Sequence, residues 1–168
     1  MQIKVVIDVS ELRRKMERAG RTLDPRGLLK AIGEAQLRWI GENFRTEGGK
    51  VGGWAPLAPN TLAARRGGGA VLQDSGKLRQ SFTYSVIGDN LVEVGTNVPY
   101  AVFHEEGTGP YVIRPVNAKV LAFMTVDGMV FAKEVHHPGL PRRRLLPTVS
   151  EAREISIRLV QAKVKQLS

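Results

Sequence analysis

The chain has 168 residues, a formal net charge of +9 and 42% hydrophobic residues. This length and composition fit one folded domain over residues 1–168 and exclude wholesale disorder. The absence of cysteine excludes disulfide frameworks, thiolate catalysis and cysteine-based zinc or iron–sulfur sites. Because no stretch approaches the ~20 apolar residues of a membrane span or has the form of a signal peptide, we expect a cytosolic chain with no membrane partner.

The positive charge lies at both ends of the chain. Residues 1–50 carry 11 basic and 7 acidic groups, residues 51–130 carry 6 of each, and residues 131–168 carry 8 and 3. The neutral middle argues against one continuous basic groove, although the two ends can converge in space. This balance requires an anionic partner to be considered, either nucleic acid or an acidic protein surface.

The first third of the chain predicts one strand and two helices. Every second residue from Ile3 to Ile7 is apolar, which indicates a strand buried mainly on one face. Ser10 is typical of an N-cap and precedes a short charged helix that breaks near Gly20. Asp24-Pro25 is a stronger start signal, because Asp accepts free backbone N–H groups and Pro has no N–H to lose. An apolar face extends from there to about Arg45, which predicts the main core helix.

Residues 48–70 predict an extended segment with little regular structure. Four glycines and the run Trp54-Ala55-Pro56-Leu57-Ala58-Pro59 disfavour helices and strands, and only residues 60–66 favour a helical turn or two. The triple glycine at 67–69 is not a phosphate loop, since the residues after it supply neither lysine nor hydroxyl. We expect this segment to be able to move.

The second half predicts two antiparallel hairpins and a short helix. Residues 81–87 and 91–95 alternate around a turn, and residues 120–126 and 129–135 are predicted to form a second hairpin with Asp127-Gly128 as its two-residue turn. Residues 99–106 favour a helix that ends at Gly107. Together with the long helix in the N-terminal half and a C-terminal helix, these elements predict an α+β fold with an antiparallel sheet of hairpins.

The C-terminal end combines a basic loop with a helix. Residues 138–147 form a proline-bounded loop that contains three consecutive arginines and that we expect to be extended and able to move. Residues 149–167 predict a helix with two apolar stripes, which need two partners. These are the domain and a neighbouring subunit, or two sides of a single core. One stripe holds Ile155, Leu159 and Ala162, and the other holds Ile157, Val160, Val164 and Leu167.

No constellation of residues indicates a catalytic or metal site. His104, His136 and His137 lack convergent ligands, because neighbouring residues point to different faces of a helix or strand. Ser75 has neither the glycine elbow nor a placed histidine base, and an N-cap role explains it. We therefore expect no enzyme activity, no metal and no cofactor. A metal-dependent hydrolase that uses His104 or His136 is the least favoured hypothesis.

Two arginine clusters could hold phosphates. Arg65-Arg66 and Arg142-Arg143-Arg144 present guanidinium groups, which pair bidentately with phosphate oxygens. Few aromatic residues interleave with them, so base stacking on single strands is poorly supported, and most charge runs are simply solvated. A basic DNA-binding protein, monomeric or dimeric, stays as the alternative function, and its affinity would fall steeply with salt.

A series of motifs occurs in a fixed order over about residues 48–147. The segments are Gly53 to Thr61, Leu72 to Ser81, Val94 to Asn97, Pro99 to Ala101, His104 to Thr108, Ile113 to Phe123, and Phe131 to Gly139. Together they resemble the tail-completion or virion-morphogenesis proteins of tailed bacteriophages, notably the Mu-like ones. Such proteins close this region with an Arg-Pro-Phe-like segment, whereas this chain has Arg144-Leu145-Leu146-Pro147.

The resemblance implies a non-enzymatic structural part of the phage neck or tail end. It implies a sixfold ring of copies that completes the tail and permits head joining, with tail-tube and head–tail connector proteins as neighbours. DNA would pass through the ring, and the protein would assemble in the host cytoplasm and reside in the virion.

A ring subunit needs surfaces for two neighbours, and the double-striped terminal helix fits this need. The two loops are further contact elements, with Trp54 either an anchor for a partner or a plug under its own loop. The predicted interface residues are Trp54, Leu57, Arg65, Arg66, Tyr100, Arg142, Arg143, Arg144, Ile157, Val160, Val164 and Leu167.

Overall fold

The helices and strands follow the predicted order closely. The computed structural model describes residues 2–18, 24–63, 65, 70–125 and 127–166. The helices are α1 (Ser10–Arg18), α2 (Pro25–Arg45), α3 (Pro59–Ala63), α4 (Lys77–Gln80), α5 (Ala101–Glu106) and α6 (Val149–Gln166). The strands are β1 (Ile3–Asp8), β2 (Thr83–Ile87), β3 (Leu91–Thr96), β4 (Tyr111–Ile113), β5 (Leu121–Thr125), β6 (Gly128–Ala132) and β7 (Val135–His137). The predicted α+β class is confirmed.

A three-stranded antiparallel sheet, in the order β1-β3-β2, forms one layer of the core. Ile3 pairs with Thr96 and Ile7 with Val92, so these residues share the face that the hydrophobic pattern predicted to be buried. The predicted hairpin of residues 81–95 is confirmed as β2 and β3. At the end of β1 the Asp8 carboxylate accepts hydrogen bonds from the backbone N–H and hydroxyl of Ser10. Helix α1 therefore begins at Ser10 as predicted, but the capping acceptor at its start is the Asp8 carboxylate and not the Ser10 side chain.

Helix α2 is the main core helix, as its start signal predicted. The Asp24 carboxylate accepts from the N–H groups of Arg26 at 3.1 Å and Gly27 at 2.9 Å, with Pro25 at the first turn. The helix packs on β2, β3 and α6. Gly33 lies directly against the ring of Tyr84, where an added Cβ would come within 2.3 Å of a ring carbon. This close approach explains a glycine in the middle of the helix.

Helix α6 packs against α2 with a narrow stripe of buried residues that includes a serine. Ala152, Ser156 and Val160 are buried, and the Gln36 side chain donates a hydrogen bond to the Ala152 carbonyl at 3.0 Å. Val164 packs on the same core, and so does Leu159 from the other predicted stripe. Members of both stripes therefore pack on one core, which favours the alternative in which the helix contacts two sides of a single core. Leu167 lies outside the described residues.

Two further two-stranded ribbons, β4–β7 and β5–β6, lie outside the three-stranded sheet. The predicted strand at 129–135 is divided, because its end pairs with β4, which was not predicted. Gly128 belongs to β6 and pairs with Thr125, so the turn is one residue earlier than predicted. Arg114 and Glu134 form an ion pair of 2.9 Å directly beyond the last pair of the β4–β7 ribbon, at the position where the predicted strand is divided.

The C-terminal loop, residues 138–147, has no regular structure but is tied into the core. Leu145 and Leu146 are buried, and their N–H groups donate to one oxygen of Glu105 at 2.6 and 3.2 Å. Thr108 forms an isolated bridge with Leu140. The leucines that stand in place of the expected aromatic therefore serve as core residues. The triple glycine and Gly20 lie outside the described residues.

Candidate assembly interface

The β5–β6 ribbon presents an apolar face to solvent. Cross-strand pairing places Ala122 beside Phe131 and Met124 beside Met129, so these four side chains share one side of the ribbon. Phe131, Met129 and Met124 are 66%, 57% and 53% exposed. We call Ala122, Met124, Met129 and Phe131 the ribbon face. The opposite side is shielded in part, since β5 contacts α3 and its alternate residues are half-buried, whereas Val130 of β6 is exposed there.

Exposed apolar side chains also occur outside this ribbon. Tyr111, Val112 and Ile113 of β4 are all exposed, and the Tyr111 ring stacks on His137 with centroids 4.7 Å apart. Phe103 on α5 is also exposed. Clustered apolar side chains such as those of the ribbon face are typical of surfaces that contact other proteins.

A groove lies between the loop that contains residues 56–61 and the segment from β7 to Arg143. Its volume is about 900 Å³, and it lies between residues 56–61, α4, α5 and residues 135–143. Apolar residues form much of its wall, among them Leu57, Leu72, Tyr100, Val135 and Leu140. Its charged residues are the bases Arg65, Lys77 and Arg143 and the single acid Asp74, so the basic groups are in excess.

Arg143 is the charged residue that the fold buries most deeply among the described residues, at 4% exposure. Its Nε donates to the Ala55 carbonyl and its Nη2 to the Pro56 carbonyl, both at 3.0 Å. Burial lowers the pKa of Arg143, and the neighbouring charge of Arg65 lowers it further. The Arg143 side chain thus ties the loop that contains Ala55 and Pro56 to the C-terminal loop, residues 138–147.

His104 lies beside Arg143 in the groove wall. Its carbonyl accepts from the Arg143 N–H at 2.7 Å, and its ring meets Tyr100 edge-on with centroids 6.3 Å apart. Burial lowers the pKa of His104, and the charge of Arg143 adds to this effect. The Nδ1 atom is buried and has no hydrogen-bond partner among the described residues. The imidazole is therefore held in a site that disfavours its charged form.

The structure brings four predicted interface residues together and separates the others. Leu57, Arg65, Tyr100 and Arg143 line the groove. Trp54, by contrast, is a plug under its loop. Its side chain is 8% exposed, meets Phe44 edge-on at 5.1 Å between centroids, and donates from Nε1 to the Arg144 carbonyl at 3.0 Å.

The other predicted residues have individual surroundings. Arg142 is exposed, and its Nε donates to the Glu105 carbonyl at 3.0 Å. Arg144 pairs with Glu151 at 2.8 Å near the start of α6. Val160 is buried within the chain, and Ile157 is half-buried on α6. Arg66 lies outside the described residues, as does Leu167.

Sequence reasoning missed the ribbon face although its hairpin was predicted. The signal was present, because the run Val120-Leu121-Ala122-Phe123-Met124 is apolar at every position instead of alternating. A strand that is apolar on both sides is typical of one covered on both sides. In the described part of the chain, α3 contacts β5, and the ribbon face itself is left exposed to solvent.

The described part of the chain has neither a cluster of metal ligands nor a helix that could span a membrane. No cluster of three or more His, Asp or Glu side chains is arranged to hold a metal ion there. His136 pairs instead with Glu134 at 3.2 Å, and His137 accepts from the Gly139 N–H at 3.0 Å. None of the described helices has the length and apolarity that crossing a bilayer requires.

Comparison with known proteins identifies the family. No curated protein and no solved structure gives a match. The model of the phage virion morphogenesis family, however, matches residues 7–165, from the end of β1 to the last turn of α6. The match extends beyond residues 48–147, whose motifs carried the resemblance, to both long helices. The chain therefore belongs to the phage virion morphogenesis family and is a structural or assembly protein of a bacteriophage virion that acts with other virion proteins.

Proposed function

We propose that the protein completes the phage tail at the neck and enables head–tail joining, as a closed ring of copies, sixfold by the resemblance, with no enzyme activity. The observation that supports this most is the ribbon face. Four apolar side chains on one side of a two-stranded ribbon gain stability only when something covers them. In an assembled virion, a neighbouring protein can cover this face.

A ring requires two different contact surfaces on each subunit, and the ribbon face is our candidate for one of them. Head-to-tail contacts close into a ring when each copy offers two different surfaces. The ribbon face is an apolar surface well separated in sequence from α6, whose half-buried Ile157 stays a predicted contact. Tail-tube and connector proteins would then meet the two faces of the ring, and DNA would pass through its centre.

The alternative of a basic DNA-binding protein has less support. Of the three consecutive arginines, Arg143 is buried and Arg144 is paired with Glu151, which leaves only Arg142 well exposed. A run of three solvated cations that could grip a phosphate backbone is therefore not formed. A steep decrease of DNA affinity with salt, measured on the purified chain, would favour this alternative.

The ring proposal is tested by native mass spectrometry and electron microscopy of the purified protein over a wide concentration range. We expect closed particles of uniform subunit number. The double variant Met129→Ser, Phe131→Ser should stay monomeric with an unchanged thermal midpoint, because its side chains are exposed in the monomer. The matched control Val149→Ser alters an exposed apolar residue at the start of α6 and should still assemble.

Tails provide the second arm of this test, since the ring can also form only on its template. Tails produced without the gene should lack the terminal ring and should regain it when the purified protein is added. A strictly monomeric protein that also fails to add to such tails would refute the proposal. Assembly that survives the ribbon double variant would refute the role of the ribbon face alone.

A further inference from the structure

Arg143 is a buried cation without a counter-ion. None of the ion pairs formed by the described residues includes it. The residues outside the described ranges include no Asp or Glu. Its two hydrogen-bond acceptors are neutral carbonyls, and a second cation, Arg65, lies near enough to disfavour its charge. Buried charges in folded proteins are normally paired, because desolvation without compensation is costly.

The surroundings of Arg143 show what kind of group would compensate it. The groove that it lines also contains Lys77 and has a single acid, Asp74, so it favours an anion. Its walls are apolar at Leu57, Leu72 and Val135. A ligand that fits must therefore carry negative charge between apolar groups, which describes a carboxylate on a peptide better than a free inorganic anion.

Duplex DNA fits this groove poorly. Arg143 is almost wholly buried and lines the groove, so a single peptide side chain that enters the groove can approach it, whereas the backbone of a rigid duplex stays at the surface. The apolar walls would also meet charged phosphates. At this basic groove a second copy of this chain is disfavoured as well, because each copy carries a net charge of +9, whereas contact through the uncharged ribbon face brings no cation into the groove.

We propose that the groove binds an extended segment of a different virion protein, with an acidic side chain that pairs with Arg143 and Lys77 and apolar side chains on the groove walls. The inference rests on the proposed function in that a neighbour at the tail end supplies the segment. Lys77 at the start of α4 would attract the segment, and Arg143 would fix its register. Peptide capture of this kind gains affinity from apolar pockets and specificity from the charge.

The test uses methyl spectra of the full chain labelled at leucine and valine, because Leu57, Leu72, Val135 and Leu140 line the groove. The probe is a blocked seven-residue peptide with a central glutamate between leucines. The matched peptide has glutamine at the centre. The methyl shifts give a dissociation constant for each peptide. We expect the constant of the glutamate peptide to be at least tenfold lower than that of the glutamine peptide, with no shift of the Val92 methyl signals in the core.

Two variants locate the charge effect. Lys77→Glu should abolish the preference for the glutamate peptide, whereas Lys163→Glu, an exposed lysine on α6 outside the groove, should keep it. Arg143→Met should also abolish it, and an unchanged Val92 signal would show that this variant is folded. Equal shifts by both peptides, or none at millimolar concentration, would overturn the proposal. So would an oligothymidylate that shifts the same methyls more tightly than the glutamate peptide.

This experiment is independent of the ring. Peptide binding by a protein that never forms rings would leave the groove assignment standing and count against the proposed function. A protein that forms rings but binds neither peptide would support the proposed function and refute the groove assignment.

Discussion

Trp54 offers the sharpest test of whether a residue serves the fold or a partner. In the structure its indole is buried against Phe44, and its N–H donates to the Arg144 carbonyl at 3.0 Å. The same carbonyl accepts from Asn43 at 3.0 Å, so three chain segments meet at one oxygen. Trp54→Ala would remove the ring from this junction and leave a cavity in the core. Trp54→Phe would keep an aromatic ring and lose only the donor and part of the contact area.

The magnitudes follow from these contacts. Replacement of a buried tryptophan by alanine costs about 3–5 kcal/mol of unfolding free energy. The phenylalanine variant should lose about 1–2 kcal/mol, because Asn43 still donates to the Arg144 carbonyl and no acceptor is left without a partner. For a chain of this length each kcal/mol lowers the thermal midpoint by about 2–4 °C, so the alanine variant should melt roughly 6–20 °C below the wild type.

Urea denaturation followed by circular dichroism measures the unfolding free energy of each variant. The protein is diluted until its native mass is that of the monomer. Phe103→Ala is the matched control, since Phe103 is an exposed aromatic on α5, and its effect should stay within about 0.5 kcal/mol. If Trp54→Ala left the unfolding free energy of the monomer within that same range while abolishing assembly, Trp54 would be an interface anchor and the packing argument would be refuted.

Three further predictions concern stability. Gly139→Ala should cost at least about 1–3 kcal/mol by urea denaturation, because Gly139 has a φ of +93° and an added Cβ would lie 2.2 Å from the Thr108 carbonyl oxygen. Burial lowers the pKa of His104 from its ordinary 6.5. The unfolded chain therefore binds that proton first, and the wild type should lose stability relative to His104→Asn as pH falls through about 6.5; parallel curves would contradict this. Although burial opposes it, hydrogen bonding by Arg144 and Thr148 holds the pKa of Glu151 below its ordinary value of 4.5. Its stabilisation is present above that value, so the wild-type advantage over Glu151→Gln in thermal midpoint should shrink as the pH falls below it.

The parts of the fold that the sequence predicted are those determined by neighbouring residues. The start of α2 depends on Asp24 and Pro25, which act within one turn of the chain. The β2–β3 hairpin depends on alternation and on a turn that joins adjacent strands. The pairing of β7 with β4 was not predicted, because it joins segments more than twenty residues apart and neither segment has a pattern that selects its partner.

The groove shows the same limit in the candidate site. Leu57, Tyr100 and Arg143 were each predicted as contact residues for separate reasons, and nothing in the sequence indicated that they line one surface. The burial of Arg143 was even less predictable, since consecutive arginines are most often solvated together. In the fold they differ, because the extended backbone of the loop turns Arg143 towards the Ala55 and Pro56 carbonyls and Arg142 towards solvent.

The ribbon face and the groove lead to one view of how this subunit is built for assembly. The three-stranded sheet, α2 and α6 form a core of buried apolar residues that pack on one another, while the two ribbons carry apolar side chains that the described chain leaves exposed. A protein selected for life as a monomer would replace Met129 and Phe131 with polar residues at little cost to its fold, since both are exposed. Their exposure is therefore best explained by an assembled state in which they are covered, and the uncompensated charge of Arg143 calls for a second, chemically different neighbour. If both proposals hold, one apolar surface and one basic groove would let the subunit bind copies of itself and an acidic partner at separate, chemically distinct surfaces.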